Sequence, residues 1–274
     1  MTTDDLGDWR VEAITRIAQD VPAAFAGGPS FKIGDFLYLT TLTRTSANEL
    51  IGFTTPNASA LAMNVASSAA RRAVELKAQF TFKDGLSPWG NSKSIASDQD
   101  DLLFSFFESS LVCVTFSFQA LEAFCNYSIS RTWRKPVEVK KRKKKEALHH
   151  ESAEREISTE DKLKSILPRI YDIPTPSGKA VWERFIKLKR ARDACVHIKY
   201  QDQYPLGAEI DQESLFYQFL NNDPLSFPEA AAELIAYFYS KQEQPRWLRQ
   251  MPPLRSNTAL HPTGQKRPAG ELGR

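Results

Sequence analysis

Three side chains, Arg192, Asp193 and His197, bring together groups that phosphoryl chemistry uses. A guanidinium can stabilise the charge that develops on a phosphorane, and an imidazole moves protons near neutral pH. All three lie in Leu188-Lys189-Arg190-Ala191-Arg192-Asp193-Ala194-Cys195-Val196-His197, which reads as the C-terminal end of an amphipathic helix. At about 100° per residue, Val181, Phe185, Leu188 and Cys195 share a narrow arc with Arg192 near its centre. A guanidinium inside an apolar stripe is costly unless it is paired or has a task. The purely structural version of this residue pairs with a carboxylate of another helix, such as Glu122, and holds the bundle in register. On a regular helix His197 lies about 140° round from Arg192. The two therefore meet in one site only if the helix end kinks or a second protomer completes it. Asp193, four residues before His197, is spaced to hydrogen-bond the imidazole and fix its tautomer.

A second feature is the run Lys140, Lys141, Arg142, Lys143, Lys144 and Lys145. Clustered cations of this kind contact phosphates without reading sequence, so the run suits an RNA-binding arm. The alternative is a solvated loop. The run contains no aromatic residue for stacking on bases, and only Trp133 lies near it. No other constellation stands out: there is no Gly-rich phosphate loop, no His-Glu-x-x-His and no paired-Cys motif. The adjacent pair His149-His150 beside Glu151 points its imidazoles apart. The reading therefore involves no metal and no cofactor.

Helices must position these residues. The strongest begins at Ser97, with Asp100 as a capping-box partner, and carries Phe104, Phe107, Leu111, Val114, Phe118, Leu121 and Cys125 at spacings of three and four. Arg131, Arg134 and Lys135 suit its C-terminus, and Pro136 ends it. Ser158 with Asp161 caps another, in which Pro168 forms an end or a kink. The motif helix starts near Ser177 or Gly178, and further helices are expected over about 211–222 and 226–243, the latter opened by Ser226, Pro228 and Glu229. Upstream, helices are expected over 8–21, 31–53 and 58–82, although the Thr40-Thr41-Leu42-Thr43 run suits a strand equally well. The loop from Lys83 to Ser92 marks a boundary. The expected organisation is an N-terminal helical region over 1–96, a helical bundle over 97–245 and a disordered basic tail over 246–274.

Composition sets the outer limits. The 274 residues suffice for one large domain or two small ones, and a quarter of them are charged. The net charge of +3 conceals local bias. Any attraction to polyanions must come from the 131–145 stretch and the tail, because the rest of the chain is acidic. Met1-Thr-Thr-Asp-Asp has no apolar signal core, and the uncharged stretch between Glu108 and Glu122 is too short to span a bilayer. The three cysteines, Cys113, Cys125 and Cys195, are far apart in apolar surroundings, as in reduced buried thiols. Together these features lead us to expect a cytoplasmic protein without membrane attachment.

The Arg192-Asp193-x-x-x-His197 motif resembles the signature of the HEPN superfamily, helical-bundle proteins that include many endoribonucleases. The resemblance extends to the long helix with Leu121-Glu122-Ala123-Phe124-Cys125-Asn126 late in it, the variable insert, and the capped Ser158-Thr-Glu-Asp-Lys-Leu segment. It spans about 97–243; residues 1–96 match no pattern. It implies an all-α, up-and-down HEPN-like bundle acting as a metal-independent endoribonuclease on an RNA substrate. Arg192 and His197 would map onto the family's Arg and His, and Asp193 onto its polar position. The site would be composite, formed in a homodimer, with the RNA's own 2′-OH attacking the adjacent phosphate. The resemblance also implies a toxin–antitoxin or antiviral defence setting, with an antitoxin or defence-system partner. Toxins controlled by nucleotidyltransferases carry a Tyr two residues after the His, whereas here position 199 is Lys and the Tyr is Tyr200. The alternative is a non-catalytic helical module that binds RNA or protein, with Arg192 as a structural ion-pair residue.

Overall fold

The computed structural model of the chain describes residues 7–12, 14–87, 90–133, 137–141, 144–203 and 214–255. The protein is mostly helical, with small two-stranded sheets at the edges. The N-terminal region departs most from expectation. β1 (Ile14–Arg16) pairs antiparallel with β2 (Phe36–Tyr38), and β3 (Thr40–Arg44) with β4 (Leu50–Thr54). The helices expected over 8–21 and 31–53 do not form. Threonines at 40, 41 and 43 pair with Thr54, Phe53 and Ile51, a β-branched and aromatic set that suits a pleated ladder. Asn48, at φ 65°, reverses the chain between the strands.

α1 (Ala58–Lys77) follows, with the Asn57 side chain accepting a hydrogen bond from the Ala60 N–H at 2.8 Å. Ala60, Met63, Ala66, Ala70 and Ala73 are fully buried. Such small side chains let α1 lie close against its neighbour. The expected boundary at 83–92 is instead part of a hairpin, β5 (Phe82–Ser87) with β6 (Gly90–Ile95), joining α1 to α2 (Asp100–Thr132). The two helices share one hydrophobic core, so the bundle begins at α1 and not at residue 97.

α2 is the hub. It packs against α1 and against several helices that come later in the chain. By length and composition it could cross a bilayer; here its apolar stripe supplies Phe106, Leu121, Phe124 and Ile129 to the core. Burying side chains of this size contributes about 1.5–3 kcal/mol each before conformational entropy is subtracted. Ser97 does not stand at its N-cap. A 3-10 turn, Ser97–Gln99, comes first, and Gln99 at the helix entry makes no side-chain cap bond, so Asp100 and Asp101 act through the macrodipole alone.

Beyond α2, β7 (Val137–Lys141) and β8 (Lys144–Leu148) form another hairpin, which leads into α3 (His150–Glu156). α4 (Thr159–Asp161) is capped by Ser158 as expected, passes into a π turn over Lys162–Ile166, and continues as α5 (Leu167–Tyr171). Pro168 explains the π turn. Its missing N–H and its ring cannot serve the carbonyl of Lys164, and the Thr175 hydroxyl donates to that carbonyl at 2.9 Å.

α6 (Ala180–Val196) carries the motif. α7 (Tyr200–Gln203), α8 (Leu215–Asn221) and α9 (Ser226–Phe238) follow, and α6 and α9 complete the core around α2 with Phe185, Leu188, Leu234 and Phe238. The tail also departs from expectation. α10 (Arg246–Gln250) buries Trp247, and Arg255 bonds Glu229 and Asp223, so 246–255 belongs to the folded body. Residues 256–274 lie outside the described residues.

Candidate active site

α6 remains regular through Val196, and His197 takes the C-cap position at φ −120°, ψ 61°, its N–H still donating to the Asp193 carbonyl at 2.9 Å. The helix therefore does not kink between Arg192 and His197. Trp182, Phe185, Leu188 and Ala191 form its buried face, shifted slightly from the arc expected around Val181 and Cys195, which are only partly buried.

Arg192 sits at the edge of that face, over α2. Its guanidinium carbon lies 3.9 Å from the centroid of the Phe118 ring. One amino group pairs with Asp193 at 3.0 Å, and the buried Nε has no hydrogen-bond partner among the described residues. The expected partner, Glu122, is exposed and makes no ion pair with Arg192. The aromatic face replaces the carboxylate as the group that accommodates the cation inside the stripe.

Asp193 is placed differently from expectation. Its carboxylate pairs with Arg192 and, at 3.3 Å, with Lys189, which also reaches Glu160 on α4 at 3.5 Å. It does not hydrogen-bond the His197 ring. The reason is local: Lys189, one turn back on the same face, offers a full positive charge. The His197 ring is exposed and makes no hydrogen bond among the described residues. Val196, Ile198 and Tyr200 around it expose 55%, 47% and 76% of their surface, an apolar collar at the end of α6.

The thiol nearest the motif is not a nucleophile. Burial pushes Cys195 up to about 12 despite the opposing pull of the Arg192 charge, and burial likewise puts Cys113 at about 12. Lys162 is a buried cation lodged in the π turn. Its Nζ donates to Asn126 Oδ1 at 2.8 Å and to the Glu154 carbonyl at 2.7 Å, and desolvation holds its pKa below the ordinary lysine value. This contact locks α2 to the 158–171 segment.

The basic run is not a featureless loop. Lys140 pairs in register with Lys145 and Lys141 with Lys144, at the tip of the β7–β8 hairpin; Arg142 and Lys143 lie outside the described residues. Of the groups that shape the site, Phe118, Lys189 and Glu160 were not singled out from sequence. Phe118 was visible as a core position, but which side chain would lie on its face depends on how α6 docks. No protein-family model, curated protein or solved structure matches the chain.

Proposed function

We propose that the protein is a metal-independent endoribonuclease of HEPN type, in which Arg192 and His197 act in a composite site between two copies of the chain. The observation that carries this reading is that one helix end holds both a guanidinium seated on the Phe118 ring and an exposed imidazole. The neutral His197 ring takes the proton of the RNA 2′-OH as O2′ bonds to phosphorus. The P–O5′ bond breaks, and the leaving O5′ takes the proton back from that same imidazolium, so each site uses one His197 together with the Arg192 of the other protomer. The products are a 2′,3′-cyclic phosphate and a 5′-hydroxyl, with Arg192 stabilising the phosphorane charge.

The second copy enters for a physical reason. A regular helix end turns His197 away from Arg192, and the Val196–Ile198–Tyr200 collar gives a partner an apolar surface to cover. Lys187 and Arg190, exposed on α6 without ion-pair partners among the described residues, and the β7–β8 tip supply cations for phosphates. Asp193 is a positioning residue for Arg192. Defence or toxin function, with a matching antitoxin or defence-system partner, is the setting that accompanies this chemistry.

A second reading has its own support. Stacking on Phe118 and pairing with Asp193 are also what a structural arginine does. In that reading the protein is a non-catalytic helical module that binds RNA or protein. Purified protein incubated with total RNA and EDTA, beside the His197→Ala variant, separates the two. Cleavage by the wild type alone supports the nuclease. Equal cleavage by both, or none by either, rejects it, and a lowered melting temperature in Arg192→Ala then favours the structural role.

A further inference from the structure

A cleft of about 1080 Å³ opens where the N-terminal strands lean on the bundle, walled by the last turns of α2 and the ends of α5, α9 and α10. It is large enough for one small organic ligand, since such sites commonly span about 300–1,000 Å³. It is also remote from the motif. Arg131 in its wall lies 13 residues beyond Phe118 on α2, or about 20 Å along the helix.

Two hydrogen-bond chains set its chemistry. In the first, Arg131 Nη1 donates to the Tyr127 hydroxyl at 2.8 Å, and burial, helped by the nearby Glu12 carboxylate, pushes that phenol's pKa up. Glu12 also accepts from Asn57 Nδ2 at 2.6 Å, and Asn57 caps α1. The carboxylate of Glu12 is thus occupied by its neighbours, while a guanidinium with five N–H donors has used one here. In the second chain, Ser128 Oγ lies 2.9 Å from the Tyr171 hydroxyl, which donates to Tyr239 at 3.3 Å. Ser128 spends its own proton on the Phe124 carbonyl at 2.8 Å, so Tyr171 and Tyr239 share the remaining hydroxyl protons, and the Tyr239 hydroxyl lines the cleft. Burial pushes both phenols up, so Tyr239 stays protonated, and it lies near enough to feel the Arg131 charge. The cleft's other acid, Glu243, is held by Arg249.

The guanidinium is therefore the open donor, with the Tyr239 hydroxyl beside it to turn towards a ligand, set among the rings of Phe124, Tyr127, Tyr171 and Trp247. We propose that this cleft binds a small planar aromatic ligand bearing an oxyanion, with the oxyanion on Arg131 and the Tyr239 hydroxyl and the ring against the aromatic wall. Charge-assisted donation to a carboxylate or a phosphate and stacking of a flat ring are the two contacts such walls provide.

Calorimetric titration of the full chain with adenosine 5′-monophosphate, indole-3-acetate and uncharged adenosine tests this. At least one oxyanion probe binds and raises the melting temperature, and which one does identifies the phosphate or the carboxylate as the source. Adenosine binds more weakly than its monophosphate. Arg131→Gln weakens the bound probe about tenfold or more. Tyr239→Phe weakens it less and, as an isosteric change, guards against misfolding in the first variant. Arg192→Ala leaves binding unchanged, which separates this cleft from the nuclease site. The proposal is overturned if neither oxyanion probe binds, if adenosine matches its monophosphate, or if Arg131→Gln binds as the wild type does.

Discussion

Arg192 lies face-on to Phe118, with its guanidinium carbon 3.9 Å from the ring centroid, so the charge of the motif is seated on the hub helix of the fold. The stack explains how a cation occupies an apolar stripe, and it ties the geometry of α6 to that of α2. If this platform aims Arg192, removing the ring lowers function more than stability. Phe118→Leu keeps an apolar side chain and costs about 1–2 kcal/mol in urea unfolding. RNA cleavage by this variant falls well below the wild-type rate even where the protein is fully folded. An unchanged rate means that Arg192 needs no platform.

Asp193 pairs with Lys189 and Arg192 at a partly exposed position. Replacing it by Asn costs about 0.2–1 kcal/mol of stability. Cleavage drops less than in His197→Ala, because Asp193 does not hold the imidazole. Equal losses in the two variants would put Asp193 back beside the histidine.

Much of the bundle was legible from local signals. The three-and-four spacing up to Cys125 announced α2, although Phe104 and Leu111 of that stripe are exposed, and Ser158 announced α4 through a cap that the structure contains, its Oγ accepting from the Asp161 N–H at 3.1 Å. The N-terminal strands were not legible, because Phe36, Leu39 and Leu42 mimic helical spacing while the ladder depends on pairing with residues 50–54. Arg192 was recognisable as an anomaly from its place in the stripe. Its accommodation by Phe118, 74 positions away in sequence, was not. The cleft escaped for the same reason: Glu12, Arg131 and Tyr239 come from three distant segments and acquire meaning only when packed together.

Lys162 offers a test of the π turn. Burial holds its pKa below the ordinary 10.5, so the unfolded chain binds the proton more tightly than the folded one. Its contribution to stability therefore improves as pH rises from neutrality towards 10.5. Urea unfolding across that range shows a rising component that is missing in Lys162→Met. A rise of equal size in the variant would assign it to other groups.

Asp8 predicts the opposite pH response at the acid end. The hydrogen bonds from Arg10 hold its carboxyl at about 2, below the ordinary 3.8. The stability it contributes is present above 3.8 and is lost as pH falls from there towards 2. Arg246 binds the carbonyls of Gly7 and Asp8, so the N-terminal segment loosens from α10 in that window. Trp9, packed against the core, reports this as a change in fluorescence. The change is absent in Asp8→Asn; its persistence there would locate the titrating group elsewhere.

The composite site is the central claim, and mixing two inactive proteins tests it most directly. Arg192→Ala and His197→Ala are each purified, unfolded and refolded together so that protomers exchange, and RNA cleavage is measured in EDTA. If Arg192 of one protomer serves with His197 of the other, the mixed dimers contain one intact site and cleavage partly returns, leaving 2′,3′-cyclic phosphate ends. If the mixture, shown to contain mixed dimers, stays as inactive as either variant while the wild type treated alike cleaves RNA, the two residues do not act across a dimer and the account fails.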